Sequence, residues 1–244
     1  MNCQVMGIVN VTPDSFSDGG QYYRPEEALR RVRNLVEEGA DVIDLGGEST
    51  RPEATPLGWE TEWARLEPVL KLLAAEPGAI ALSVDTYHVE TARRAVEAGV
   101  GIVNCVKFES AAAMLELLRA RPDLRLVMPC RLAADGGLAA EARRAVDEFG
   151  PRLYLDPLIG FGTTREEDLR LLASLPKLAE FGRVLVGVSR KRLVKKLTGE
   201  KRLGKNLGGS LGLAVWAALN GASAVRVHDV LETAQALRAV AALA

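Results

Sequence analysis

The sequence has little that would tie it to a membrane, a nucleic acid or an oxidising compartment. Nowhere among its 244 residues does an apolar run approach the ~20 needed to span a bilayer. Met1 leads almost directly into the first apolar segment, so no signal peptide is expected. Lysine and arginine number 31 against 32 aspartates and glutamates, a balance without the basic field of a dedicated nucleic-acid binder. Cysteines are few and odd in number. Cys3, Cys105 and Cys130 make a disulfide framework unexpected, and their spacing is not that of a zinc site. No Pro/Ser-rich linker, low-complexity tract or Gly-x-Gly-x-x-Gly turn interrupts the chain. The expectation is a cytoplasmic protein with small-molecule partners, bound to neither nucleic acid nor membrane.

What the sequence does have is one repeated arrangement. Met6 to Asn10 is a short apolar run that stops at a polar residue and breaks into a loop of hydroxyls, carboxylates and glycines. A strand so short and apolar reads as buried on both faces. Residues 24–39 follow with helical spacing at Ala28, Val32, Leu35 and Val36, closed by Gly39 as a left-handed cap. Further strands are expected at 41–46, 79–85, 101–105, 124–128, 152–156, 183–188 and 224–228. Helices are expected at 59–75, 89–98, 111–121, 138–149 and 166–178, in a region ending near Leu219, and at 231–243. Eight strands alternating with helices indicate an α/β fold, a single (β/α)8 TIM barrel over residues 1–244, with its active site at the carboxyl ends of the strands.

Those ends carry Asn10, Asp44, Asp85, Asn104, Asp156, Ser189 with Arg190 and Lys191, and Arg226 with His228. Asp accepts hydrogen bonds while Asn both donates and accepts, so this set suits the edge of a polar heterocycle; the cations suit an anion. Single residues of this kind also serve as turn formers or helix caps. Asp41 and Asp44, three apart, face opposite sides of a strand, so at most one can point into the barrel mouth. Arg226 and His228, two apart, share a face, and burying them unpaired would be unfavourable, which points to an anionic ligand. His88 is expected to be ordinary surface. Phe16, Phe161 and Trp63 could pack on a flat ligand or in the core.

Six segments together resemble the signatures of the dihydropteroate synthase family: Gly7–Gly20, Asp44–Pro52, Ser83–Thr86, Ile159–Gly162, Val188–Lys191 and Arg226–Val230. The resemblance implies a TIM barrel of the pterin-binding superfamily. It also implies a transferase that joins 6-hydroxymethyl-7,8-dihydropterin diphosphate to 4-aminobenzoate in folate biosynthesis, with Mg²⁺ as cofactor, commonly as a homodimer. It assigns Asp85, Asn104, Asp156 and Lys191 to the pterin. Asn10, Thr50, Arg51, Arg226 and His228 fall to the diphosphate, with Asn10 also toward the metal. Phe16, Pro52, Phe161 and Lys191 would border the aminobenzoate, and Asp14, Ser15 and Phe16 would belong to a mobile first loop. Asp85, Lys191, Arg226 and His228 form the implied catalytic set.

The chain departs from the family pattern at several points. Cys105 stands where Asp is usual, Leu158 where Gly is usual, and Thr163 where Lys is usual. Arg192 replaces a usual Ser and is expected to meet the aminobenzoate carboxylate. The segment 128–150 is shortened, and Cys105 and Cys130 fall at the ends of neighbouring strands as expected buried thiols. Two other readings stay open at this point: a paralogue that binds pterin or diphosphate without making dihydropteroate, and a pterin-dependent methyltransferase.

Overall fold

The computed structural model describes residues 2–12, 24–48, 55–76, 80–200, 202 and 205–243. Eight parallel strands close a barrel in chain order: β1 (Gln4–Asn10), β2 (Val42–Gly46), β3 (Ala81–Asp85), β4 (Ile102–Asn104), β5 (Arg125–Pro129), β6 (Leu153–Asp156), β7 (Arg183–Val186) and β8 (Ala224–Val227). Closure comes from β1 against β8, in register from Gln4↔Ala224 to Gly7↔Val227.

The alternation of side chains along the strands builds two separate cores. Met6, Val42, Ile102, Val127, Tyr154, Leu185 and Ala224 fill the barrel interior. Their neighbours in sequence, among them Val5, Ile43, Val103, Leu126, Leu153, Val184 and Val225, face the ring of helices. With a period of two, residues two positions beyond the inner set also point inward. That rule places Asp44, Asn104, Asp156 and Arg226 in the layer above the apolar floor, toward the carboxyl ends.

The helices that cover the strands are α1 (Pro25–Glu38), α2 (Trp59–Ala74), α3 (Val89–Glu97), α4 (Phe108–Ala120) and α5 (Ala140–Phe149). They continue with α6 (Arg165–Ala173), α7 (Leu175–Ala179), α8 (Arg192–Thr198), α9 (Leu207–Leu219) and α10 (Val230–Ala241). Helix α1 buries Ala28, Leu29, Val32 and Leu35, and ends at Gly39 with φ 101°, a conformation that favours glycine. Burial of each such Leu or Val contributes roughly 1.5–3 kcal/mol.

Two expectations are corrected. The helix expected over 166–178 is two helices, because Pro176 has no N–H to continue the ladder and instead occupies the first turn of α7. The helical region expected to end near Leu219 consists of α8 and α9. Helix α4 begins at Phe108, three residues before the expected start. The shortened segment leaves the barrel whole: Leu132 bridges Leu138 across a tight turn, and α5 buries Ala142, Ala145 and Phe149. Strands β5 and β6 stay paired from Leu126↔Leu153 to Pro129↔Asp156.

Candidate active site

The polar layer above the apolar floor is organised around Asp44, which is completely buried. Its Oδ2 accepts from Asn104 Nδ2 at 3.0 Å and from Arg226 Nε at 2.6 Å. Arg226 also donates from Nη2 to Asp85 Oδ2 at 2.7 Å. One guanidinium therefore serves two carboxylates. The second oxygens of Asp44 and Asp85 and the amide oxygen of Asn104 are buried acceptors with no hydrogen-bond partner. Leaving such atoms unmatched destabilises the ligand-free protein by about 1–3 kcal/mol each, so the layer is shaped for a ligand that brings donors.

Burial pushes the Asp85 carboxyl up to about 7, with Arg226 opposing the rise and Asp44 adding to it. Asp156, at the end of β6, is likewise raised by burial, while Lys191 holds it down. Lys191 is lowered to about 8, first by burial, with Asp156 working against that. Its Nζ donates to Ile159 O at 2.6 Å and lies 4.4 Å from the centroid of the partly exposed Phe161 ring. A donor and an aromatic face thus stand beside the acceptor cluster. Asn10 completes the ring: a Cβ on Gly46 would lie 3.7 Å from Asn10 Oδ1 and 3.8 Å from Asp85 Cβ, so glycine leaves the space between them open.

The loop after β6 is held by its own hydrogen bonds. Asp156 Oδ1 accepts from Leu158 N at 2.8 Å, a turn that puts Leu158 at φ 55° with its side chain buried. The left-handed region costs a leucine about 1–2 kcal/mol. Gly160, at φ 82°, also passes the Lys191 chain: a Cβ there would meet Lys191 Cδ at 3.1 Å. Thr163 donates to Asp168 Oδ1 at 2.5 Å, and Gly160 N donates to the same oxygen at 2.7 Å. Arg131 straps the loop from the β5 side, donating to Pro157 O at 3.2 Å and Phe161 O at 3.4 Å.

Arg226 was expected to be paired by an anionic ligand; two carboxylates of the chain itself, Asp44 and Asp85, already hold its guanidinium. His228, just past β8, keeps Nδ1 3.1 Å from Ser189 Oγ, which also accepts from the His228 N–H at 3.2 Å. Arg190 pairs with Asp229 on the rim and, like Leu158, has positive φ, at 60°. Arg192 is exposed at the start of α8. His88, expected on the surface, is half-buried, with Nε2 3.3 Å from Glu48 Oε2. Glu48 also accepts from Tyr87 Oη at 2.7 Å, forming a rim cluster that residue types alone did not reveal. Trp63 packs against the outer core.

Cys105 is fully buried and belongs to the outer core, not the pocket, and Cys130 is buried beside that core too. Burial pushes both thiols up to about 11, which makes them unreactive at neutral pH. Asp14, Ser15, Phe16, Thr50, Arg51 and Pro52 lie outside the described residues. The polar residues that the sequence reading did not single out are Asp168 and Arg131. Asp44, already a candidate as a polar strand end, sits two beyond the inward Val42.

The chain matches the family model for pterin-binding enzymes over residues 6–149 and 137–228. It is 38% identical to a dihydropteroate synthase of Neisseria meningitidis serogroup C, across 98% of this chain and 92% of that protein. A dihydropteroate synthase of Xanthomonas albilineans solved with 4-aminobenzoic acid superposes with a TM-score of 0.83 at 40% identity, covering 99% of this chain and 93% of that one. Another Xanthomonas albilineans structure, in complex with 7,8-dihydropteroate, gives 0.81 at 37% identity, with 99% and 94% covered. With a family-model match across most of the barrel and near-complete coverage by relatives of this identity, the chain belongs to the dihydropteroate synthase family of pterin-binding enzymes.

Proposed function

We propose that this protein condenses 6-hydroxymethyl-7,8-dihydropterin diphosphate with 4-aminobenzoate, releasing diphosphate and forming 7,8-dihydropteroate, with residues 1–244 acting as one pterin-binding domain. The observation that carries this reading is the pair of unmatched buried acceptors on Asp85 and Asn104. A pterin edge is rich in N–H donors and suits them, while Lys191 supplies a donor for the ring's carbonyl side. Asp156 joins the same pocket.

The chemistry follows from charge. As diphosphate departs, positive charge grows on the pterin methylene, and the carboxylates of Asp85 and Asp156 stabilise it; preorganised groups of this kind contribute several kcal/mol. Arg226, His228, Thr50 and Arg51 are assigned to the diphosphate. Arg226 would then share its guanidinium between the floor carboxylates and the leaving group. Phe16, Pro52, Phe161, Lys191 and Arg192 are assigned to the aminobenzoate, whose amine needs placement more than a strong base. Asp14, Ser15 and Phe16 belong with the first loop, which would keep water from competing as nucleophile.

Mg²⁺ is assigned to the diphosphate. Among the described residues no three of His, Cys, Asp and Glu gather into a metal cage. Asn10 offers a single amide oxygen at the end of β1, which fits an ion that keeps phosphate oxygens and water as its other ligands. Bound there, it would offset charge on the leaving diphosphate. Three free thiols support a reducing, cytoplasmic setting. No helix among the described residues is long and apolar enough to cross a membrane. A homodimer is proposed through α9, which carries no charged residue yet leaves Trp216 and Leu219 exposed.

Calorimetric titration with 6-hydroxymethylpterin tests the pocket. The wild-type protein is expected to bind one equivalent, and Asp156→Ala to bind at least tenfold more weakly. Equal affinities would remove the floor as the pterin site.

A further inference from the structure

The family assignments account for Asp85, Asn104, Asp156 and Lys191 but leave no task for Asp44, the most completely buried charged side chain in the polar layer. An isolated carboxylate at that depth is strongly unfavourable unless something nearby needs it. Two groups do, and both converge on one oxygen: Asn104 Nδ2 at 3.0 Å and Arg226 Nε at 2.6 Å.

The consequence is clearest for Asn104. The two ends of an amide have nearly the same shape, so packing alone does not decide which end faces a ligand. A carboxylate only accepts, and it therefore selects the NH₂ end. Asn104 Oδ1 is left as a buried acceptor without a partner, in the same layer as the unmatched Asp85 Oδ1. Arg226 is constrained in the same way: Asp44 takes Nε and Asp85 takes Nη2, so two contacts set the plane of the guanidinium.

We propose that Asp44 is a positioning residue for pterin recognition: it locks the Asn104 amide with Oδ1 toward the ring site, so that Asn104 presents an acceptor there. This rests on the reading that the floor binds a pterin. Asp44 need not touch the ligand. Its effect passes through Asn104, which distinguishes it from a residue that merely fills space.

The test is a double-mutant cycle read by pterin affinity, using 6-hydroxymethylpterin and the full chain. Asp44→Asn keeps the shape but removes the preference for one end of the amide. It is expected to weaken pterin binding at least tenfold while changing the KM for 4-aminobenzoate less than threefold. In an Asn104→Ala background the same substitution should weaken binding less than threefold, because the group it acts through is gone. An equal loss in both backgrounds would overturn the proposal, as would unchanged affinity in Asp44→Asn alone. If wild-type protein fails to bind the pterin, the functional reading fails first, and the two failures are distinct. Should Asp44→Asn not fold, neutron diffraction from the wild-type protein reads the amide directly. Deuterium on the atom facing Asp44 is expected; deuterium facing the ring site would refute the assignment.

Discussion

Asp85 and Asp44 share a single guanidinium, so two of the layer's carboxylates depend on one cation. Burial then makes Asp85 the group that gives way, with its carboxyl raised from 3.8 to about 7. The folded state thus binds this proton more firmly than the unfolded chain does. The associated stability is fully present below about pH 4 and is lost as pH rises through about 7. Asp85→Asn cannot ionise. Its stability relative to wild type should therefore climb between those limits and level off above them, as read from urea midpoints at a series of pH values. A difference that stays flat across the window would mean that Asp85 does not titrate there. The same substitution is expected to abolish turnover. Much at this scale was legible in the sequence: Asp85, Asn104, Asp156 and Lys191 stand out as polar residues ending apolar runs. Leu158 was not, because nothing in Asp-Pro-Leu signals a left-handed leucine; the Asp156 turn that imposes it is a hydrogen bond, not a residue pattern.

Element by element, the strands were easier to read than the helices. A buried strand needs only a short apolar run with a polar end, and all eight lie within a few residues of their expected places. Helix 166–178 was misjudged because an apolar spacing can continue across a break that Pro176 enforces. The loop after β6 owes its shape to Thr163 and Asp168, five residues apart and converging on Gly160 N, a contact that only the folded backbone reveals. Helix α9 carries the element-scale prediction. It is apolar on every side, yet Trp216 is 37% and Leu219 57% exposed, more than a lone outer helix would leave to water. If α9 forms the homodimer contact, Trp216→Glu should convert a dimer to a monomer in light scattering at micromolar concentration. A wild-type protein that is monomeric under those conditions would remove the contact.

The whole molecule divides its work between two inward layers of one barrel. Met6, Val42, Ile102, Val127, Tyr154, Leu185 and Ala224 seal the lower interior, and on β2, β4, β6 and β8 the residue two further on, Asp44, Asn104, Asp156 and Arg226, supplies the polar layer. Because strand alternation ties the layers together, a one-residue slip of any of these four strands would exchange its polar contact for an apolar one. The departures from the family pattern spare this plan. Cys105 faces the helices, Thr163 has become a loop clamp, and the shortened fifth unit still closes β5 against β6. Leu158 and Thr163 touch the pocket's frame, both through the loop after β6. Catalysis should therefore survive these substitutions, and a single assay decides it. Purified protein given 6-hydroxymethyl-7,8-dihydropterin diphosphate, 4-aminobenzoate and Mg²⁺ is expected to release diphosphate and form dihydropteroate in equal amounts. Saturable binding of the pterin diphosphate with no product, or methyl transfer from methyltetrahydrofolate to a corrinoid protein in its place, would contradict the account.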